Sequence, residues 1–175
     1  MIRSAHLLRI IELACRWHVA LSMFVYGIAK TVQFDATAGN AAPVNSLSGQ
    51  QLMWAFYGYS ICYVKFLGIV EMAGAVLLLF RRTTLLGCLV VTTVLVNVIA
   101  QDITYGVNEG ALRAAMIYQV LTFLVVLLNW HQVVRIWKAF TSPAPSTEGL
   151  RWYWLVLGAL MVLAATLGLE HLLTH

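Results

Sequence analysis

Five long apolar stretches constrain this chain more than any other feature of its sequence. A helix that crosses the hydrocarbon core of a bilayer needs about 20 predominantly apolar residues. Five stretches of the 175-residue chain meet that requirement, and they cover residues 7–28, 60–80, 85–104, 112–130 and 153–173. They predict an all-α, polytopic membrane protein with a four-helix transmembrane bundle and a fifth, C-terminal span.

The composition agrees with a membrane protein and argues against several other classes. Of all residues 61% are hydrophobic and 10% are charged, whereas a soluble domain has about 25% charged residues. The net charge of +4 does not indicate nucleic acid as a partner, because the basic residues are dispersed along the chain. The three cysteines are scattered too, which argues against a dithiol oxidoreductase and against a cysteine-rich metal site. The expected partner is the lipid bilayer.

The basic residues outside the apolar stretches predict the orientation of the chain. Cytoplasmic connections carry an excess of Lys and Arg. If the N-terminus is cytoplasmic, one side receives three basic groups: Arg3 and Arg9, Arg81 and Arg82, and finally Arg135, Lys138 and Arg151. Five spans then place the C-terminus outside. The expected location is the inner (plasma) membrane of a bacterium.

The connections divide the chain into a bundle and an appendage. Residues 1–140 are predicted to form the bundle, and its longest connection, residues 31–59, lies on the outer side. The aromatic part of that connection, residues 54–59, is either a helix at the membrane interface or a lid over an outward-facing pocket. Residues 141–150 contain two prolines and read as a linker, so residues 151–175 are an additional helix.

Charged residues inside the apolar stretches predict an ion pair. Such residues are costly in a bilayer and are usually paired or functional. Arg16 and Glu71 lie near the middle of the first and second stretches, and antiparallel neighbours bring mid-span residues to one level. An Arg16–Glu71 pair is therefore expected, with Glu12 one turn away sharing it. Its role is structural if it only fixes the register of the helices.

A second polar group is expected to bound an outer pocket. Its members lie at the outward ends of the first three stretches: Tyr26, Lys30, Lys65, Asn97, Gln101 and Asp102. Two lysines beside one aspartate leave an excess of positive charge, which suits a ligand with an electron-rich head and an apolar tail. A quinone or an anionic lipid fits that description. The alternative is that these groups only bond one another across helices.

Short motifs in the first two stretches resemble a known family. Gly27-Ile-Ala-Lys30 closes the first stretch, and the second contains Glu71-Met-Ala-Gly74, an apolar run and Arg81-Arg82. This pattern resembles DoxX-like proteins and the endoplasmic-reticulum chaperone of nicotinic-receptor assembly. The resemblance implies a small four-helix membrane bundle in which Lys30 and Glu71 are pattern positions. It implies no single activity, since some members carry names from thiosulfate:quinone oxidoreductases and others assist assembly.

Two functions follow from these features. The first is a non-catalytic accessory or assembly subunit that binds another membrane protein, or a second copy, through faces such as Ala111–Ala115 and Ala164–Gly168. The alternative is a quinone- or lipid-binding subunit linked to a membrane oxidoreductase. No catalytic or metal-binding motif and no bound cofactor is evident, so we expect no catalysis by the chain alone. A transporter is disfavoured because no inverted repeat is visible.

Overall fold

The computed structural model describes residues 2–34, 43–142 and 151–174, with side chains from residue 6 onward. Those residues form a short 3₁₀ helix, Val44–Ser46, and seven α-helices. The α-helices are α1 (Ile2–Gln33), α2 (Gly49–Gly58), α3 (Ile61–Leu79), α4 (Thr84–Tyr105), α5 (Glu109–Leu128), α6 (Trp130–Phe140) and α7 (Trp152–Thr174). The chain divides into two compact units, Met1–Ile136 and Trp137–His175. Most of the predicted linker, from residue 143 to 150, lies outside the described residues, as does the polar part of the long connection at 35–42.

Four helices are long and apolar enough to cross a membrane, namely α3, α4, α5 and α7. The secondary structure of the described residues is all helical, as expected for a helical membrane protein, and four of the five predicted spans have the required length and composition. The remaining one falls within α1, a 32-residue helix that is not among those four. Its charged side chains Arg16 and Lys30 are buried among the other helices, so they are not exposed to lipid.

Four helices form the predicted bundle. α1 and α4 each pack against both α3 and α5, which closes a ring of four. The core between them consists of apolar side chains that are almost fully buried: Val19, Met23, Ala75, Leu78, Val91, Leu95 and Val125. α1 and α3 are antiparallel and approach very closely, because a Cβ added to Gly27 would lie 2.7 Å from the carbonyl oxygen of Gly68. Glycines at a helix crossing permit such backbone contact.

The helix α2 covers one end of the bundle, where the sequence predicts an interfacial helix or a lid. Ser48 begins it with a capping box: its hydroxyl accepts from the Gln51 amide, and the Gln51 side chain accepts from the Ser48 amide. α2 packs on α3 and α4, and its Met53 and Tyr57 are buried against Phe34 and Val64. We call this end the α2 end. The opposite end, where α3 ends and α4 begins, is called the arginine end.

Helix α6 follows α5 directly and was not predicted. It places Val133, Trp137 and Phe140 on one face and His131, Arg135 and Lys138 on the other. An amphipathic helix with basic residues on its polar face is typical of the membrane–water interface. Before Glu170 and His171 near its end, the helix α7 is apolar around its whole circumference, which is typical of a membrane span.

Candidate functional site

A buried ion pair between Lys30 and Glu71 lies at the centre of the α2 end. The Lys30 Nζ is 2.7 Å from the Glu71 Oε1, and both side chains are less than one-tenth exposed. Helical side chains tilt toward the N-terminus of their own helix. In this antiparallel pair Lys30 therefore reaches into the bundle, while Glu71 reaches toward the α2 end. The two meet near the crossing of Gly27 and Gly68.

Asp102, in the last turn of α4, adds a second buried carboxylate to this pair. It is 7% exposed, and it borders the same two cavities as Lys30 and Glu71. The Asp102 Oδ2 and the Glu71 Oε2 are buried and accept no hydrogen bond from any residue in the described part of the chain. Buried polar atoms are seldom left without a partner. These two oxygens therefore keep an unused capacity to accept hydrogen bonds.

The charge of this cluster is opposite to the predicted one. Lys65 is exposed and borders neither cavity, so its expected place in the pocket is wrong. The reason is helical geometry, because Lys65 lies about 100° around α3 from the buried Val64. One lysine and two carboxylates leave a formal charge of −1, and the site favours hydrogen-bond donors over an anionic head.

The first cavity lies between α1, α4 and α5 and has a volume of about 330 Å³. Its walls are mainly apolar and aromatic: Met23, Tyr26, Trp54, Val94, Leu95, Val98, Ala111, Ala115 and Tyr118. The rings of Tyr26 and Tyr118 meet edge to face, with centroids 6.2 Å apart. Apolar walls with a few convergent polar groups are characteristic of small-molecule sites, whose volumes start at about 300 Å³.

The second cavity lies between α3 and α4 and has a volume of about 480 Å³. Lys30, Glu71 and Asp102 separate it from the first cavity, since all three border both. Its rim includes the exposed Phe66 and Asn97, so it opens sideways on a face that lipid would cover.

Tyr57 of α2 closes the second cavity at the α2 end. Its Oη accepts a hydrogen bond of 2.6 Å from the Gln101 Nε2. Burial raises the pKa of the Tyr57 phenol above its usual value, although this hydrogen bond opposes the shift. The neutral phenol and the amide together fix α2 over the predicted pocket residues Asn97 and Gln101.

The predicted Arg16–Glu71 pair is wrong. Arg16 instead donates from Nε to the Leu78 carbonyl and from Nη2 to the Leu79 carbonyl, both at 2.8 Å. Its Nη1 lies 3.3 Å from the Glu12 Oε1, so the predicted share of Glu12 is confirmed. Because the residues opposite Arg16 are Leu78 and Leu79, Glu71 is about 10 Å further along α3. The two side chains also tilt in opposite directions.

The structure brings Tyr26, Lys30, Asn97, Gln101 and Asp102 together at the predicted end. Two further lining residues lie outside the predicted set: Trp54, from the segment predicted as an interfacial helix or a lid, and Tyr118 from α5. Tyr118 had a signal in the sequence, since Tyr118 and Thr122 form a polar stripe on an otherwise apolar helix. The described residues contain no group of three or more His, Cys, Asp or Glu side chains that would hold a metal ion.

Comparison with known proteins identifies a relative. Over 132 residues the chain is 31% identical to the uncharacterized protein YwoB of Bacillus subtilis strain 168, and the alignment covers 70% of this chain and 79% of YwoB. No protein-family model matches the chain, and no solved structure matches it. The resemblance to DoxX-like proteins therefore stays a prediction.

Proposed function

The chain belongs to the same protein family as YwoB, and we propose that it binds a small lipid-soluble molecule of the quinone or quinol class within its membrane bundle. The observation that carries this proposal is the pair of cavities around Lys30, Glu71 and Asp102. Ionisable residues inside a membrane bundle usually mark a functional site. Here Glu71 and Asp102 line both cavities, and each has one buried carboxylate oxygen without a partner among the described residues.

The polar groups of the site favour the reduced, hydroxyl-bearing form of such a ligand. Two hydroxyl groups donate hydrogen bonds, and the Glu71 Oε2 and the Asp102 Oδ2 are unused acceptors. An oxidised quinone, in contrast, only accepts hydrogen bonds. It would use the charged donor Lys30 and leave the two carboxylate oxygens without a partner. The apolar tail leaves through the second cavity, past Phe66 at its rim, and reaches lipid between α3 and α4.

The proposed location is the plasma membrane of a bacterium, with the N-terminus in the cytoplasm. Arg9, Arg81 and Arg82 support this orientation, because basic residues accumulate on the cytoplasmic side. The α2 end then faces outward. A quinol bound there is oxidised to the quinone: its two electrons pass to a membrane oxidoreductase partner, which supplies the redox centre, and its two protons pass to the water at the α2 end. Some DoxX-like proteins, which the chain resembles, carry names from thiosulfate:quinone oxidoreductases, and such names agree with a quinone ligand.

Mass spectrometry of the molecules that co-purify with the protein in mild detergent tests the proposal. We expect a quinone or quinol at close to one molecule per chain. Lys30→Ala should abolish its retention, whereas Lys65→Ala should not, because Lys65 is exposed and outside both cavities. Equal retention by the two variants, or no quinone in the wild-type preparation, would overturn the proposal.

A second candidate function is that of an accessory or assembly subunit, with α7 as its docking helix. Ala164 and Gly168 lie one turn apart on this helix, and small residues at that spacing favour close helix packing. The other predicted face, Ala111 and Ala115, lines the first cavity instead. Deletion of residues 151–175 should release a co-purifying membrane protein, whereas quinone retention should persist. If no partner is lost on deletion, the docking role of α7 is excluded.

A further inference from the structure

A third cavity lies at the arginine end, across the bundle from the proposed ligand site. Its volume is about 420 Å³. Four arginines and one glutamate line it: Arg9, Arg16, Arg81, Arg82 and Glu12. Their formal charge is +3, whereas the cluster at the α2 end carries −1. The two sites therefore select ligands of opposite character.

Arg16 forms the floor of this cavity. It is 2% exposed, and three hydrogen bonds to Leu78, Leu79 and Glu12 hold it in place. A guanidinium has five N–H donors, so two remain after these bonds. Glu12 is fixed as well, since its Oε1 also accepts from the Asn129 Nδ2 at 3.3 Å. The charge at the floor is therefore pre-organised.

The other three arginines are available at the rim. Arg9, Arg81 and Arg82 are exposed, and none makes a hydrogen bond or ion pair with a residue in the ranges 2–34, 43–142 or 151–174. Arginine binds phosphate oxygens with two parallel hydrogen bonds, which gives geometric specificity as well as charge. Three such groups around one cavity can surround a phosphate.

The start of α4 adds a fourth positive element. Thr84, its first residue, lines the cavity, and the N-cap Thr83 makes no side-chain capping bond. The first amides of a helix have no acceptor within the helix, and the helix dipole is positive there. This element is secondary to the arginines, but it favours an anion at the same place.

We infer that the cavity at the arginine end binds a phosphate-bearing anion. Basic pockets between transmembrane helices bind the head groups of anionic lipids, and the basic, amphipathic α6 begins directly after Asn129 at the cavity wall. A lipid head group and a free phosphate present the same chemistry. The site is independent of the quinone site, since the two share no lining residue.

Calorimetric titration of the full chain in detergent tests this inference. The probes are short-chain phosphatidylglycerol, short-chain phosphatidylcholine, glycerol phosphate and inorganic phosphate, at one fixed ionic strength. The test variant is Arg81→Gln/Arg82→Gln, which removes two rim charges that make no bond to the described residues. The control Arg135→Gln/Lys138→Gln removes the same charge from α6, outside the cavity lining.

We expect phosphatidylglycerol to bind and phosphatidylcholine to bind far more weakly. The rim variant should weaken phosphatidylglycerol about 30-fold, which is the effect of two basic residues near an anionic head group, and the control should change it less than about threefold. Binding of glycerol phosphate or inorganic phosphate with the same dependence on Arg81 and Arg82 would support the site and identify a soluble source. Equal losses in both double variants, or equal binding of phosphatidylcholine, would overturn the inference.

Discussion

The two ends of the bundle hold their buried charges in different ways. At the arginine end, Arg16 bonds to two carbonyl groups and to Glu12, and Asn129 bonds to Glu12 in turn. At the α2 end, Lys30 bonds to one oxygen of Glu71. There the second Glu71 oxygen and the Asp102 Oδ2 have no partner among the described residues.

This difference separates a structural charge from a charge that is available for binding. A buried polar network whose members are all satisfied makes a fold rigid. A partly satisfied network costs free energy, and it persists where function requires it. Arg16 therefore joins α1 to the end of α3, whereas Lys30, Glu71 and Asp102 form the proposed ligand site. At the arginine end, Arg16 is a fixed charge at the floor of the cavity, and the rim arginines are the groups without partners among the described residues.

The largest effect on stability is expected from Arg16→Met. It leaves the Leu78 and Leu79 carbonyls without their donor and Glu12 without its cation, so the free energy of unfolding should fall by roughly 3–5 kcal/mol. Unfolding in mixed detergent micelles measures this. The control Arg113→Met removes an exposed arginine paired with Glu109 and should change little. A loss as small as that of the control would show that Arg16 does not join the helices.

Lys30→Met should have a smaller effect, about 2 kcal/mol, because it leaves Glu71 as a buried group without its partner. The same unfolding assay measures it. Adding Glu71→Gln should restore most of the stability, since the uncompensated charge is removed, but it should not restore ligand retention. If the double variant regained the ligand, the charges of this pair would not form the site.

The close crossing of α1 and α3 at Gly27 and Gly68 sets the register of these two helices. This register determines which residues of α3 lie opposite Arg16 and Lys30. Gly27→Ala should reduce stability by about 1–3 kcal/mol, because its methyl group would meet the Gly68 carbonyl at 2.7 Å. Gly158→Ala is the matched control, since nothing lies within 4 Å of its added Cβ. It should leave stability unchanged or raise it. Equal behaviour of the two variants would contradict the close crossing.

The smallest effect is the coupling between Arg16 and Glu71. These residues make no contact, so a double-mutant cycle with Arg16→Met and Glu71→Gln should be additive within about 0.5 kcal/mol. The cycle with Arg16→Met and Glu12→Gln should show clear coupling, because the Arg16 Nη1 and the Glu12 Oε1 are 3.3 Å apart. Clear coupling between Arg16 and Glu71, with additivity between Arg16 and Glu12, would show instead that Arg16 pairs with Glu71.

The sequence was sufficient to predict the long apolar helices and the end of the bundle at which most of the predicted pocket residues lie. Apolar stretches predicted α3, α4, α5 and α7, because about 20 apolar residues have few alternatives to a membrane span. The helix α2 was anticipated from its aromatic residues. Most of the predicted pocket residues lie close together because, in antiparallel neighbouring helices, the end of one helix and the start of the next lie at the same depth in the bundle.

The sequence was not sufficient to predict which groups the charged side chains contact. Counting depth from the predicted boundaries placed Arg16 opposite Glu71, but α1 extends to Gln33 and its crossing with α3 is fixed at Gly27 and Gly68. The register between two helices depends on how they pack against each other, so it cannot be predicted from the sequence of either stretch alone. Lys65 was misplaced for a similar reason, since depth alone does not give the face of a helix.

In the proposed function, the carboxylate oxygens of Glu71 and Asp102 that have no partner among the described residues bind the head of a lipid-soluble ligand. The most direct test of this claim is a titration of the purified protein with decylubiquinol under reducing conditions, followed by quenching of tryptophan fluorescence, because Trp54 lines the first cavity. Trp54→Phe should remove most of the signal. We predict saturable binding that is at least about tenfold weaker in Asp102→Asn, with the thermal unfolding midpoint not lowered. Equal affinity in the wild type and in Asp102→Asn, or quenching that does not saturate, would contradict the account.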